Sequence, residues 1–214
     1  MTVEDLGARP KRRRAETVER LLDAALETFA EVGFAAASVE DICRRGGFTR
    51  GAFYSSFRTK DELFGALFAR ETTRDLARAE QQLTGIEREA DPVAAAVERC
   101  LSTFRADRTW VLVLTEYRLH AARHPEAAAA LAEHAAELHT RLTELIGGAA
   151  TRSGVRLTLP AGDLARIITA LHDGSVISHL PGAGPLDDAE ATALERTALV
   201  LLLRAAVSDP APTD

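Results

Sequence analysis

The chain has 214 residues, 46% hydrophobic, 27% charged and 5% aromatic, with a net charge of −6. That length supports one large core or two small ones, and the abundance of alanine, leucine and arginine favours helix over sheet. Two cysteines, Cys43 and Cys100, exclude a disulfide framework or a multi-cysteine zinc site within one chain. Apolar runs of six residues, such as Ala198 to Leu203, fall far short of the roughly 20 needed to span a bilayer. With Glu4 and Asp5 at the start and no apolar signal core, the expectation is a helical cytoplasmic protein without a membrane partner.

In chain order, Leu6 to Ala15 comes first, carrying Arg9, Lys11, Arg12, Arg13 and Arg14 and no acid. Residues 1–14 are expected to form a basic arm without order of its own. From Glu16 to Val32, Leu21, Leu22, Ala25, Leu26 and Phe29 make a helical stripe, stopped at Gly33. Ser38 and Asp41 form a capping box that starts a second helix, which Gly46 and Gly47 end within about two turns. Thr49 caps a short third helix, predicted at about two turns, and Thr59 with Glu62 opens a long fourth.

Gly85 to Asp91 reads as loop, and Pro92 suits the first turn of the next helix. Further helices are predicted over Trp110 to Ala122 and from Pro125 to about Ile146, the latter closed by Gly147, Gly148 and Gly154. One more follows Pro160 to Asp163, and the last runs from about Asp187 to Val207 after a Pro/Gly loop at Leu180 to Pro185. Pro210 and Pro212 end the fold. The total is an all-α chain of about nine helices, with no strand and no internal repeat.

Charge is unevenly placed. Residues 1–70 hold 12 basic and 11 acidic side chains, against 14 and 21 in the remainder. Ile42 to Lys60 contains Arg44, Arg45, Arg50, Arg58 and Lys60 with no carboxylate, which predicts a local positive surface suited to a polyphosphate. The same stretch spells helix, glycine turn, helix. Phe48, Phe53 and Phe57 point to the core, leaving Thr49, Arg50, Gly51, Tyr54 and Ser55 outward on a helix that fits a major groove about 12 Å wide.

The segment SVEDICRRGGFTRGAFYSSFRTKDELFGAL, with F-A-E-x-G-F ending the first helix, T-R-G-A-F-Y-x-x-F at the third and K-x-E-L opening the fourth, closely resembles the DNA-binding module of the TetR family of transcriptional regulators. The likeness covers roughly residues 15–65; Cys43 and Gly46 stand where alanine is more usual. It implies that Arg50 reads a guanine edge while Gly51 permits close approach. It further implies that Thr49, Tyr54 and Ser55 contact phosphates or thymine methyls, that Ser38 presents a helix amide end to a phosphate, and that Lys60 clamps a phosphate. The basic arm would lie along the DNA backbone or in the minor groove. The implied division is 15–62 for DNA binding, 63–207 for effector binding and dimerisation, and 208–214 as a tail.

The nearly all-round apolar final helix requires cover on several sides. The resemblance implies a homodimer through Leu164, Ile168, Leu171, Leu199, Leu202 and Leu203, on a near-palindromic double-stranded operator. It also implies a mostly apolar small-molecule pocket, for which Phe104, Trp110, Leu114, Tyr117, His120, His139, Leu142 and Ile146 are the lining candidates. His120 and His124 share an i, i+4 spacing, but no cysteine or carboxylate cluster joins them, so no metal and no cofactor is expected. His172, Asp173 and Ser175 lie on one helix and do not make a hydrolytic triad, so no catalytic residue is expected. The reading is a ligand-released repressor of a bacterial genome, not an enzyme. The alternatives are an effector-independent DNA-binding protein of the same fold and a helical small-molecule binder.

Overall fold

The computed structural model describes residues 3–103, 108–178, 180 and 187–208. Among these residues are nine α-helices: α1 (Val3–Val32), α2 (Val39–Gly46), α3 (Arg50–Tyr54), α4 (Lys60–Gln82), α5 (Pro92–Thr103), α6 (Arg108–Ala121), α7 (Pro125–Arg152), α8 (Ala161–Ser178) and α9 (Asp188–Ala206). The all-α reading stands, with one addition. Strands β1 (Arg156–Leu157) and β2 (Val207–Ser208) pair antiparallel, Arg156 opposite Ser208 and Leu157 opposite Val207. Two residues are too few for a period-2 pattern to register in sequence. Phe104, His179, residues 181–186, which hold most of the loop expected at Leu180 to Pro185, and residues 209–214 lie outside the described residues.

Local signals placed most helix ends. Ser38 Oγ accepts from the Asp41 amide at 3.1 Å and the Asp41 carboxylate accepts from the Ser38 amide at 3.2 Å, closing the capping box of α2. Thr59 Oγ1 accepts from the Glu62 amide at 3.0 Å, while Glu62 reaches back one residue further, to the Arg58 amide at 2.7 Å. Two ends differ from expectation. The α7 helix continues through Gly147 and Gly148 to Arg152, because an interior glycine costs only about 1 kcal/mol against alanine; the stop is Gly154, at φ 66°. At the other end of the chain, α1 begins at Val3, so the backbone of the basic segment continues the first helix. The side chains of Arg9 and Lys11 to Arg13 lie outside the described residues.

The chain divides into two compact units. The first comprises Met1–Arg70 with Leu112–Leu131, the second Glu71–Val111 with Ala132–Asp214. The first therefore takes a segment from far along the chain, which a contiguous division at residue 62 does not contain. Its core joins Leu21, Leu22 and Phe29 of α1 to Ile42, Phe53, Leu63, Phe64 and Leu67, and to Val113 and Tyr117 of α6, all buried.

In the second unit, Leu76, Val97, Leu164, Ala165, Val176 and Leu199 are buried. The α8 and α9 helices pack together there. Asp187 caps α9 in a capping box with Glu190.

The placement of the predicted interface residues is informative. Leu164 is 1% exposed and Leu199 is likewise buried, while Ile168, Leu171, Leu202 and Leu203 are half-buried. Leu164 and Leu199 lie on the side that the chain itself covers, and the other four at its border. The exposed apolar residues are instead Ile167 and Ile177 on α8, and Leu194 (60%) and Leu201 (64%) on α9. On a helix, neighbouring residues differ by about 100° in direction, so a shift of one position moves a side chain from an exposed face to its half-buried flank.

Candidate nucleic-acid interface

The turn between α2 and α3 depends on two glycines. Gly47 stands at φ 72° as the left-handed cap of α2. A Cβ on Gly46 would come within 2.9 Å of the Phe48 ring and 3.3 Å of Ala24 Cβ. Glycine in place of the more usual alanine therefore lets Phe48 fold close against the end of α2. Phe48 is half-buried and not core as expected; the Arg20 guanidinium lies over its ring at 4.7 Å and donates to the Gly46 carbonyl at 2.9 Å. Phe53 and Phe57 are buried as predicted, their centroids 5.9 Å apart.

The α3 helix is five residues long, shorter than the two turns predicted, and ends in a turn at Ser55 and Ser56. Thr49 caps it, its side-chain oxygen accepting from the Ala52 amide at 3.3 Å. The Cys43 thiol donates to the Thr49 carbonyl at 3.6 Å, tying α2 to the start of α3. Burial pushes that thiol up, with Glu40 adding to the shift. Arg50, Gly51, Tyr54 and Ser55 are all exposed. A Cβ on Gly51 would meet only Thr49 Oγ1, at 3.7 Å, so no internal packing demands glycine there. Arg14 of α1 reaches the same end of α3, donating to the Ser55 carbonyl at 3.4 Å.

The structure corrects the prediction of an acid-free surface. Arg44 pairs with Asp41, Arg45 with Glu31 and with Glu27 at 3.5 Å, and Arg50 Nη1 with Glu40 Oε1 at 2.5 Å. The partners come from α1 and the first turn of α2, so a gap in acids along the chain is filled in space. The Tyr54 hydroxyl and Glu40 hold the Arg50 guanidinium further above its ordinary range.

Two further expectations change. Lys60 does not present a free ammonium: Nζ donates to the carbonyls of Phe34 at 2.5 Å, Ala37 at 2.8 Å and Ala35 at 3.4 Å, and sits 4.5 Å from the centre of the Phe34 ring. Partial burial holds it below the ordinary lysine range. It fastens the α1–α2 loop to α4. Ser38 likewise spends its donors on Asp41, Oγ to Oδ2 at 2.5 Å and the amide at 3.2 Å. That carboxylate is held below the usual range by the Ser38 bonds and then Arg44.

The pocket candidates are divided. Phe104 lies outside the described residues. Trp110, His139, Leu142 and Ile146 are half-buried in the second unit; Leu114, Tyr117 and His120 belong to the first. Tyr117 is packed face to face on Phe64, centroids 3.5 Å apart, and donates to Asp61 Oδ1 at 3.2 Å. Burial, then Asp61, pushes its phenol up. His120 Nε2 meets the same oxygen at 3.0 Å, and Glu116 Oε2 accepts from the Phe34 amide at 2.7 Å. This end of α6 therefore braces the DNA-binding unit. His124 lies beyond the end of α6, its ring stacked on His120 at 4.0 Å. In the second unit, His172 Nδ1 and Ser175 Oγ converge on buried Glu195 of α9, at 2.9 and 2.7 Å. They share one carboxylate.

Sequence reasoning missed Glu40, Arg20 and Glu116. Glu40 was legible only as a first-turn acid of α2, and the contacts of the other two run to residues distant in the chain.

A helix–turn–helix with an exposed arginine and tyrosine on its second helix, inside a mainly helical chain, has the form of a DNA-binding module. Residues 21–67 match the description "Bacterial regulatory proteins, tetR family", and residues 87–204 match "BetI-type transcriptional repressor, C-terminal". The chain belongs to the TetR family of transcriptional regulators, and that family is not enzymatic. It is similar to an HTH-type transcriptional repressor of Mycobacterium tuberculosis, Rv1474c, at 28% identity over 78% of this chain and 83% of that one. The fold is shared with a TetR-family regulator from Mesorhizobium loti, with a TM-score of 0.71 and 17% identity over 90% of this chain and 98% of that one. It is shared too with the regulator FadR from Bacillus subtilis in complex with stearoyl-CoA, with a TM-score of 0.66 and 19% identity over 86% and 96%.

Proposed function

We propose that this protein is a homodimeric, sequence-specific repressor in the cytoplasm, released from a near-palindromic operator by a small, mostly apolar ligand. The observation that carries the DNA-binding half is the outer face of α3, where Arg50, Gly51, Tyr54 and Ser55 are exposed over a buried Phe53 and Phe57. Arg50 reads a guanine, Thr49, Tyr54 and Ser55 contact phosphates or thymine methyls, and Gly51 admits the backbone closely. Arg14, beside Ser55, supports a role for the start of α1 along the DNA backbone. Lys60 and Ser38 drop out of the contact set.

Exposed stripes on two helices support the dimer: Ile167, Ala170, Gly174 and Ile177 on α8, and Leu194, Thr197, Leu201 and Ala205 on α9. Small and apolar residues at helical spacing are what a second copy would cover. Two-fold symmetry then sets two recognition helices about 34–36 Å apart, or a multiple of it. The ligand reading draws on Trp110, His139, Leu142 and Ile146, and on the stearoyl-CoA held by the Bacillus subtilis relative. Such a ligand acts only through different affinities for the DNA-competent and released states. The placement of Leu114, Tyr117 and His120 in the first unit favours, as a second reading, a DNA-binding protein that needs no effector.

The test is fluorescence anisotropy on duplexes flanking the protein's own gene, against scrambled duplexes, at two salt concentrations. Selective binding that weakens steeply with salt supports the repressor reading. Equal, weak binding to duplexes of every sequence, including a pool spanning the genome, overturns it. Arg50→Ala is expected to cost about 1–3 kcal/mol on the operator and to relax preference at one base pair.

A further inference from the structure

Arg50 is held from two sides. Glu40 Oε1 lies 2.5 Å from its Nη1, and its guanidinium carbon stands 5.8 Å from the centre of the Tyr54 ring. Both members of the ion pair are exposed on the surface that carries α3, and the pair joins α2 to α3.

A carboxylate has no favourable partner on a phosphate backbone. In the major groove it is repelled by the N7 and O6 acceptors of guanine and accepts only from an amino group, such as N4 of cytosine. An unpaired arginine, by contrast, binds any phosphate, and such contacts carry no sequence information. A guanidinium held by a carboxylate and a neighbouring tyrosine keeps its remaining N–H groups in a fixed plane. Fewer rotamers then have to be given up when those groups meet a base edge.

We infer that Glu40 is a specificity-determining residue for DNA. Its carboxylate holds Arg50 away from phosphates and aims it at a base edge, lowering affinity for DNA in general and sharpening discrimination at the base pair that Arg50 reads. This rests on the DNA-binding reading above. Glu40 acts through Arg50 and is a positioning residue. The neighbouring pair of Arg44 with Asp41 lies within one helix, where it joins the α2 cap and leaves α3 untouched.

The experiment compares wild type, Glu40→Gln, Arg50→Ala and the double variant. The probes are duplexes that wild type selects from a randomised pool, their single-base-pair variants, and unselected duplexes. Glu40→Gln keeps the side chain's length and removes its charge. It is expected to bind unselected DNA more tightly, with a salt slope steeper by about 0.9, the mark of one added phosphate contact. Discrimination at the Arg50 base pair is expected to fall about tenfold. In the Arg50→Ala background the Glu40 change should no longer alter discrimination, since the effect passes through the arginine.

Unchanged slope and unchanged discrimination in Glu40→Gln, with selected-site binding intact, overturn the inference and leave the repressor reading standing. An equal effect of the Glu40 change with and without Arg50 also overturns it. If wild type selects no sequence from the pool, the DNA-binding reading fails first, a result distinct from either.

Discussion

Lys60 illustrates how a side chain's role is decided by where its charged end goes. The lysine side chain can reach outward to a phosphate or inward to backbone carbonyls, and here three carbonyls and the Phe34 ring receive it. Lys60→Met is therefore expected to cost about 1–3 kcal/mol of stability, because part-buried carbonyls lose a charged donor. Urea denaturation of the variant measures this; an unchanged midpoint with weakened DNA binding would return the residue to the phosphate contacts. The cysteines make a second residue-scale case. Burial raises the thiol of Cys43, and pushes that of Cys100 up to about 11, so few thiolates form near neutrality. A thiol-specific reagent at neutral pH is expected to leave both unmodified in the folded protein and to label both in denaturant. Rapid labelling of native protein would contradict this.

At the scale of elements, the helix starts were the most legible part of the chain, because a cap is a local bargain between a side chain and amides three residues away. Ser38→Ala is expected to cost about 1 kcal/mol by removing the cap of α2. Asp41 adds a pH dependence to the same cap. Its folded pKa lies below the ordinary carboxylate value, so its stabilisation is fully present above the unfolded value of about 3.9 and is lost as pH falls through the lower folded one. The stability difference between wild type and Asp41→Asn, read from denaturation curves across pH, should shrink in that acid window. A constant difference would show that the carboxylate charge contributes nothing. Gly33 and Gly47 stop α1 and α2 where expected, but Gly147 and Gly148 sit inside α7, and only the positive φ of Gly154 marks its end.

For the whole molecule, the decisive quantity is which helix faces remain uncovered. Leu201→Glu is expected to give a monomer in sedimentation, with helical circular dichroism retained. Its operator affinity should fall about a hundredfold or more, as the second half-site contact loses its effective concentration. Leu164 is buried within the chain, so Leu164→Glu is expected to unfold the second unit instead. If Leu201→Glu stays dimeric, the exposed stripe on α9 is not the interface.

Sequence by itself determined the helical class, the helix–turn–helix and most of the caps, because each is written in residues close together along the chain. It also determined Phe53 and Phe57 as core, though not the half-buried Phe48. Only tertiary structure decided that the arginines of an acid-free stretch meet Glu27, Glu31 and Glu40, and that Tyr117 and His120 brace Asp61. The same holds for α8 and α9, where Leu201 and not Leu199 faces outward. The reason is physical. Caps and periodicity are short-range, whereas charge pairing and the choice of buried face depend on which distant segment arrives, and two residues' rotation about a helix axis, about 200°, is enough to reverse it.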